Sequence, residues 1–168
     1  MNDLDALQRQ LDRVLGFIPR VEARINGLFG VNTFLLAIGA LNVSAGDLKL
    51  WYVTVPGAAF VGCMIISYAF LYRANFPDDR GGHGSLIFFK EIQKRTEAGY
   101  QAELLACTEE NFRNDLIGQI WRNSEILCDK YQGVKSAIVW AAVSLVPFFV
   151  FISASATVHG RVPLFATS

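Results

Sequence analysis

Long apolar runs and two polar stretches alternate along this chain. Residues Ile25–Gly46 (22 residues), Leu50–Tyr72 (23) and Ser136–Val158 (23) each contain no Asp, Glu, Lys or Arg. A bilayer core of about 30 Å needs about 20 helical residues, so each run predicts a membrane-spanning helix. Ahead of the first run and into its start, Leu4, Leu7, Leu11, Val14, Ile18, Val21, Ile25 and Leu28 recur three and four apart. That heptad spacing predicts an amphipathic helix over residues 1–26, started by Asn2 or Asp3. Pro19 inside it predicts a kink near Arg20 or a break just before the proline. The apolar seam suits packing on the chain's own polar region, or self-association between protomers.

Between the second and third runs lies the loop ANFPDDRGGHG, residues 74–84, rich in Pro and Gly. A helix is expected over Ser85–Ala98. A longer one is expected from about Glu109, after Thr108, continuing into the third run because no proline interrupts it before Lys135. The expected organisation is an all-α membrane protein. An N-terminal amphipathic helix (1–24) precedes spans at 25–46 and 50–72. A helical cytoplasmic region (73–135), a third span at 136–158 and an external tail (159–168) follow.

Composition supports lipid-facing surface: 52% of residues are hydrophobic against 18% charged, with thirteen Phe. The formal net charge is zero, which gives no reason to expect a nucleic-acid partner. The distribution of charge says more. Arg9, Arg13, Arg20 and Arg24 precede the first run, and nine more Lys and Arg lie from Arg73 to Lys135. Only Lys49 and Arg161 fall on the other side. The positive-inside rule then places the N-terminus and residues 73–135 in the cytoplasm. Trp51, Tyr52, Tyr68 and Tyr72 flank the second run, where aromatic rings suit the two interfaces. The amphipathic helix ahead of the first run argues against a cleaved signal.

At about 100° per residue, Leu116, Ile120, Leu127 and Tyr131 share one arc of the long central helix. Ile117, Trp121 and Cys128 form a second arc, and Asp115, Arg122, Glu125 and Asp129 fall on the opposite, solvated side. Gln119, Asn123 and Lys130 break this division by falling within about 20° of Phe112, at the edge of the apolar arc. Buried amide and ammonium groups need partners. Either these three bond to neighbouring helices or a protomer interface, or they line a pocket for a small anionic ligand. In the second case Lys130 or Arg122 meets a phosphate. Asn123 and Gln119 read a base edge, and Trp121 or Tyr131 offers a stacking surface.

Other chemistry is thin. His83 beside Asp78 and Asp79 is read as a solvated cluster rather than a metal site. Ser85 has no nucleophile elbow around it, and two histidines without a paired acid frame make no catalytic constellation. No enzyme and no cofactor are expected. Cys63, Cys107 and Cys128 fit no metal or disulfide spacing and are expected as small buried apolar residues.

The segments SLIFFKEI (85–92), Tyr100, DLIGQIWRNSEIL (115–127) and KYQGVKSA (130–137) resemble the transmembrane effectors of Pycsar, the bacterial pyrimidine-cyclase anti-phage system. The entry RVEARINGLFGVNTFLLA (20–37) is similar to the start of the first span in that family. The resemblance implies an inner-membrane effector activated by a cyclic pyrimidine mononucleotide, cyclic UMP or cyclic CMP, made by a partner cyclase. Activation would impair the bilayer and cause abortive infection. The heptad arm over Leu4–Ile25 separately predicts a homo-oligomer. It leaves open the base recognised, the number of protomers and the kind of lesion. The alternative from another class is a structural or assembly subunit of the membrane that binds no nucleotide.

Overall fold

A computed structural model describes residues 3–76 and 82–159, apart from the side chain of Leu48. Asn2, the acids Asp78 and Asp79 beside His83, and the tail from residue 160 onward lie outside the described residues. The order is α1 (Asp3–Leu15), α2 (Ile18–Leu41), a 3-10 turn (Asp47–Lys49), α3 (Trp51–Asn75), α4 (Phe89–Gln93), α5 (Glu97–Ala106) and α6 (Glu109–Val158). No strand occurs among the described residues. Three stretches, Asp3–Leu41, Trp51–Asn75 and Glu109–Val158, contain helix long and apolar enough to cross a membrane. The protein is an all-α membrane protein.

The chain forms two compact units. The first comprises residues 1–22 and 76–131, and the second residues 23–75 and 132–168.

In the first unit the N-terminal helix breaks before Pro19. The ring of Pro19 would collide with the carbonyl four residues back, that of Leu15, and α1 ends there. Gly16 and Phe17 make the turn, Pro19 sits in the first turn of α2, and the Arg20 guanidinium lies 5.2 Å over the Phe17 ring. Leu11 and Val14 are buried, and Asp3 pairs with Arg113 of α6 at 3.3 Å. The inner part of the α1 seam is therefore covered within its own chain.

The expected helix over Ser85–Ala98 is interrupted. Residues 82–88 are non-helical, α4 is only five residues long, and Lys94–Thr96 separate it from α5. Side chains capture the backbone there. The Ser85 hydroxyl accepts from the Ile87 and Phe88 N–H groups (3.1 and 3.0 Å), and Thr96 caps α5 by accepting from Gly99 N. Thr108 accepts from Asn111 N (3.3 Å) at the start of α6, where acids Glu109 and Glu110 fill the first turn.

In the second unit Phe60, Met64 and Phe148 form a buried cluster, with Leu35, Leu36, Ile38 and Ile152 packed on it. The absence of a side chain at Gly39 and Gly57 admits the rings of Phe60 and Phe151. At Gly133 an added Cβ would lie 2.9 Å from the Ala74 Cβ and 3.5 Å from the Phe70 carbonyl oxygen. Small residues thus set the helix spacing, as membrane packing requires where no hydrophobic force separates helix from lipid. A buried polar chain crosses the unit: Asn32 Nδ2 donates to Ser67 Oγ (2.9 Å), which donates to the Ala137 carbonyl (2.9 Å). Asn42 ends α2 by donating from its amide to the Ile38 carbonyl (2.8 Å). The loop after it folds around buried Asp47, whose carboxylate accepts from Ser44 N (2.8 Å) and faces His159 at 3.7 Å.

Candidate ligand site

The first unit contains a polar pocket of about 540 Å³, built against one face of α6. From α6 come Asn111, Asn114, Asp115, Gly118, Gln119 and Arg122, spaced three and four apart so that they share one side of the helix. Residues 82–86 form the opposite wall, and Glu103, Ala106 and Cys107 at the end of α5 close a third side.

Ser85 is the node of that wall. Its hydroxyl donates to Asp115 Oδ2 (3.0 Å) and accepts from Gln119 Nε2 (3.0 Å) besides the two N–H groups of its own loop. Asp115 Oδ2 also accepts from Leu86 N (2.8 Å), and the Tyr100 hydroxyl donates to the Leu86 carbonyl (3.0 Å). Arg95 ties the strap from outside, donating to the Ser85, Gly84 and Glu91 carbonyls and pairing with Glu103 at 2.7 Å. Gly84 has a φ of 74°, which a side chain would strain. Its N–H donates to Glu91 Oε2 (3.1 Å). A side-chain bond from Lys94, then that N–H, hold the Glu91 carboxyl below its ordinary range. The SLIFFKEI segment, Tyr100 and the DLIGQ segment are thus parts of one hydrogen-bonded structure.

Arg122 stands at the Gly82 end of the pocket. Its side chain is half-buried, makes no hydrogen bond or ion pair among the described residues, and lies so close to Gly82 that a Cβ there would sit 2.5 Å from Nη1. Among the described residues the Asn111 and Asn114 side chains likewise make no hydrogen bond. Glu103 and Asp115 are already engaged with Arg95 and with Ser85 and Leu86. The pocket therefore offers a free guanidinium at one end and free amides at the other.

Of the six residues singled out from the sequence, the pocket gathers Gln119 and Arg122. Gln119 is buried and holds Ser85. Trp121 is 66% exposed and is not part of the pocket lining. Asn123 is half-buried and donates to the Gln119 carbonyl of its own helix (2.8 Å). Lys130 is buried, with Glu22 at 3.8 Å, and Tyr131 is half-buried; neither lines the pocket. Two expectations are corrected. Asp115 is a half-buried acceptor rather than a solvated charge, because the wall beyond its own helix supplies donors. Ile117, Trp121 and Cys128, expected as an apolar arc, are exposed. Ser85, Asp115, Arg95 and the two asparagines were not singled out. The resemblance segments opening at Ser85 and Asp115, and the Gly-rich loop before the serine, were the visible signals.

Comparison with known proteins adds a family. A family model described as the Pycsar effector protein domain matches residues 6–157. The chain is 21% identical over 131 residues to the Pycsar effector protein GmPycTM of Gulbenkiania mobilis, covering 71% of this chain and 67% of that one. No solved structure matches it.

Proposed function

The chain belongs to the Pycsar effector protein family, and on that premise we propose that it is an anti-phage membrane effector switched on by a cyclic pyrimidine mononucleotide. The observation that carries this reading is the unpaired Arg122 guanidinium in a polar pocket of nucleotide-accommodating size. A planar, permanently charged fork suits a phosphate, and in a site partly shielded from water its hydrogen bonds are strengthened. Gln119 lies beside it and connects ligand contact to the Ser85 node. A partner cyclase would supply the nucleotide.

In this reading the pocket-bearing region faces the cytoplasm, the side that the Lys and Arg distribution favours. Ligand acts by binding one arrangement of the helices better than another, since equal affinity for both would shift nothing. α6 carries both the pocket wall and the third apolar run without interruption, which gives a change at residues 111–122 a covalent path to residues 136–158. The acting form is a homo-oligomer in the inner membrane, and its effect is loss of bilayer integrity.

The test is reconstitution of the full chain in phosphatidylethanolamine–phosphatidylglycerol vesicles loaded with a self-quenched dye. Cyclic UMP or cyclic CMP should trigger release, cyclic AMP should not, and Arg122→Gln should be silent. Release that is the same with and without nucleotide would reject ligand gating.

A further inference from the structure

α6 has two glycines in its polar and boundary stretch, Gly118 and Gly133, and only one of them is explained by packing. At Gly133 a Cβ would be driven into Ala74. At Gly118 a Cβ would meet no atom within 4 Å, yet glycine is among the poorest residues for a helix interior. Nothing among the described residues needs that position bare. Gly118 lies in the floor of the polar pocket, with Asn114 four residues before it and Arg122 four residues after.

We propose that Gly118 is the bed on which the ligand lies, lengthwise along α6, with its anionic end at Arg122 and its base edge at Asn111 and Asn114. The lengths agree. Eight residues from Asn114 to Arg122 rise about 12 Å at about 1.5 Å each. Helical side chains lean toward the N-terminus, so the head of Arg122 sits nearer to Asn114 than its Cα does, which shortens that span toward the length of a mononucleotide. The phosphate end also meets Gly82, where the lack of a side chain leaves the guanidinium room. At the other end each amide offers both a donor and an acceptor, the equipment for reading the carbonyl and amino or imino edge of a pyrimidine. The bare backbone at residue 118 lets the sugar approach the helix closely. This inference rests on the nucleotide reading above and adds its orientation and its floor.

The experiment is isothermal titration of the detergent-solubilised full chain with cyclic UMP and with cyclic CMP, with thermal unfolding measured in parallel. Gly118→Ala should unfold at the same or a higher temperature, because alanine favours the helix, while binding at least tenfold more weakly. Gly118→Leu should abolish measurable binding. Asn114→Ala should weaken binding and narrow the preference between the two nucleotides. Binding by the unmodified chain together with undiminished binding by Gly118→Ala and Gly118→Leu would overturn the lengthwise pose alone. An unmodified chain that binds neither nucleotide would overturn the nucleotide reading and this inference with it.

Discussion

The two units of this protein are held together by opposite materials. The first buries few apolar side chains, Leu11, Val14, Val21 and Leu116, and is organised around the Ser85 hydroxyl, the Asp115 carboxylate and the Arg95 guanidinium. The second buries Phe60, Met64, Leu71, Phe148 and Phe151 among others, and its polar groups are mostly neutral amides and hydroxyls. Their pockets follow the same division. The second unit has an apolar groove of about 650 Å³ lined by residues such as Leu36, Val61, Ile65 and Phe151. That lining offers a phosphate no cation, its polar side chains being Asp47 and Thr54, whereas the polar pocket presents Arg122. The difference separates the part suited to reading a soluble anion from the part suited to lipid.

Gly133→Val should do the most damage. Its branched side chain would drive into Ala74 and the Phe70 carbonyl, and overpacking of this kind costs about 1–3 kcal/mol or more. Folded protein recovered in detergent should fall several-fold, while Gly118→Ala should not reduce it. Normal recovery of Gly133→Val would show that the second unit does not rely on close helix approach.

Asp115→Ala should come next, because it leaves Leu86 N and the Ser85 hydroxyl short of an acceptor inside the first unit. Such a loss costs about 1–3 kcal/mol. Protease cleavage between residues 82 and 108 should accelerate, with the apolar spans still protected. Cleavage that spreads equally through both units would erase the contrast drawn between them.

Asn32→Leu removes the donor to Ser67 at the centre of the second unit and also removes a buried amide oxygen that has no partner. Hydrogen bonds between membrane helices contribute about 0.6 kcal/mol on average, and the orphan oxygen offsets part of that. The expected change in unfolding midpoint is a small decrease. A loss as large as that of Gly133→Val would mean that the polar chain, rather than apolar packing, holds the spans together.

Glu91→Gln should have the smallest effect, visible only in its pH dependence. The carboxyl is held below its ordinary 4.5 chiefly by the Lys94 side chain and then by the Gly84 N–H. A depressed folded-state pKa adds stability that is present above the ordinary value and is lost as pH falls through the lowered one. Unfolding curves of the two proteins should therefore differ slightly at neutral pH and converge in acid, with high salt shrinking the difference.

The spans were legible in the sequence because lipid imposes a demand that composition alone records: about 20 residues without charge. The break before Pro19 and the start of α6 after Thr108 were legible for equally local reasons. The strap over residues 85–96 was not. Its amino acids suit a helix, and Asp115 and Gln119, some thirty residues away, with Tyr100 and with Arg95 folding back on the loop, hold it in another form. The helical wheel marked Gln119 as a polar residue in need of a partner, and it has one in Ser85. The same wheel placed Asp115 and Arg122 in solvent, since it represents one helix and none of the chain packed against it. Trp121 drew attention as a stacking surface, but its ring lies outside the pocket lining.

The central claim is that Arg122 receives the anionic end of a cyclic pyrimidine mononucleotide. Titrating the purified full chain and its Arg122→Gln variant with cyclic UMP, cyclic CMP and cyclic AMP tests it directly, with unfolding midpoints recorded alongside. Removing a charge-assisted contact of about 1.5–3 kcal/mol should weaken binding of the pyrimidine nucleotide roughly 10- to 150-fold and leave the midpoint unchanged. Equal affinity in the two proteins, or no binding of either pyrimidine nucleotide to the unmodified chain, would contradict the account.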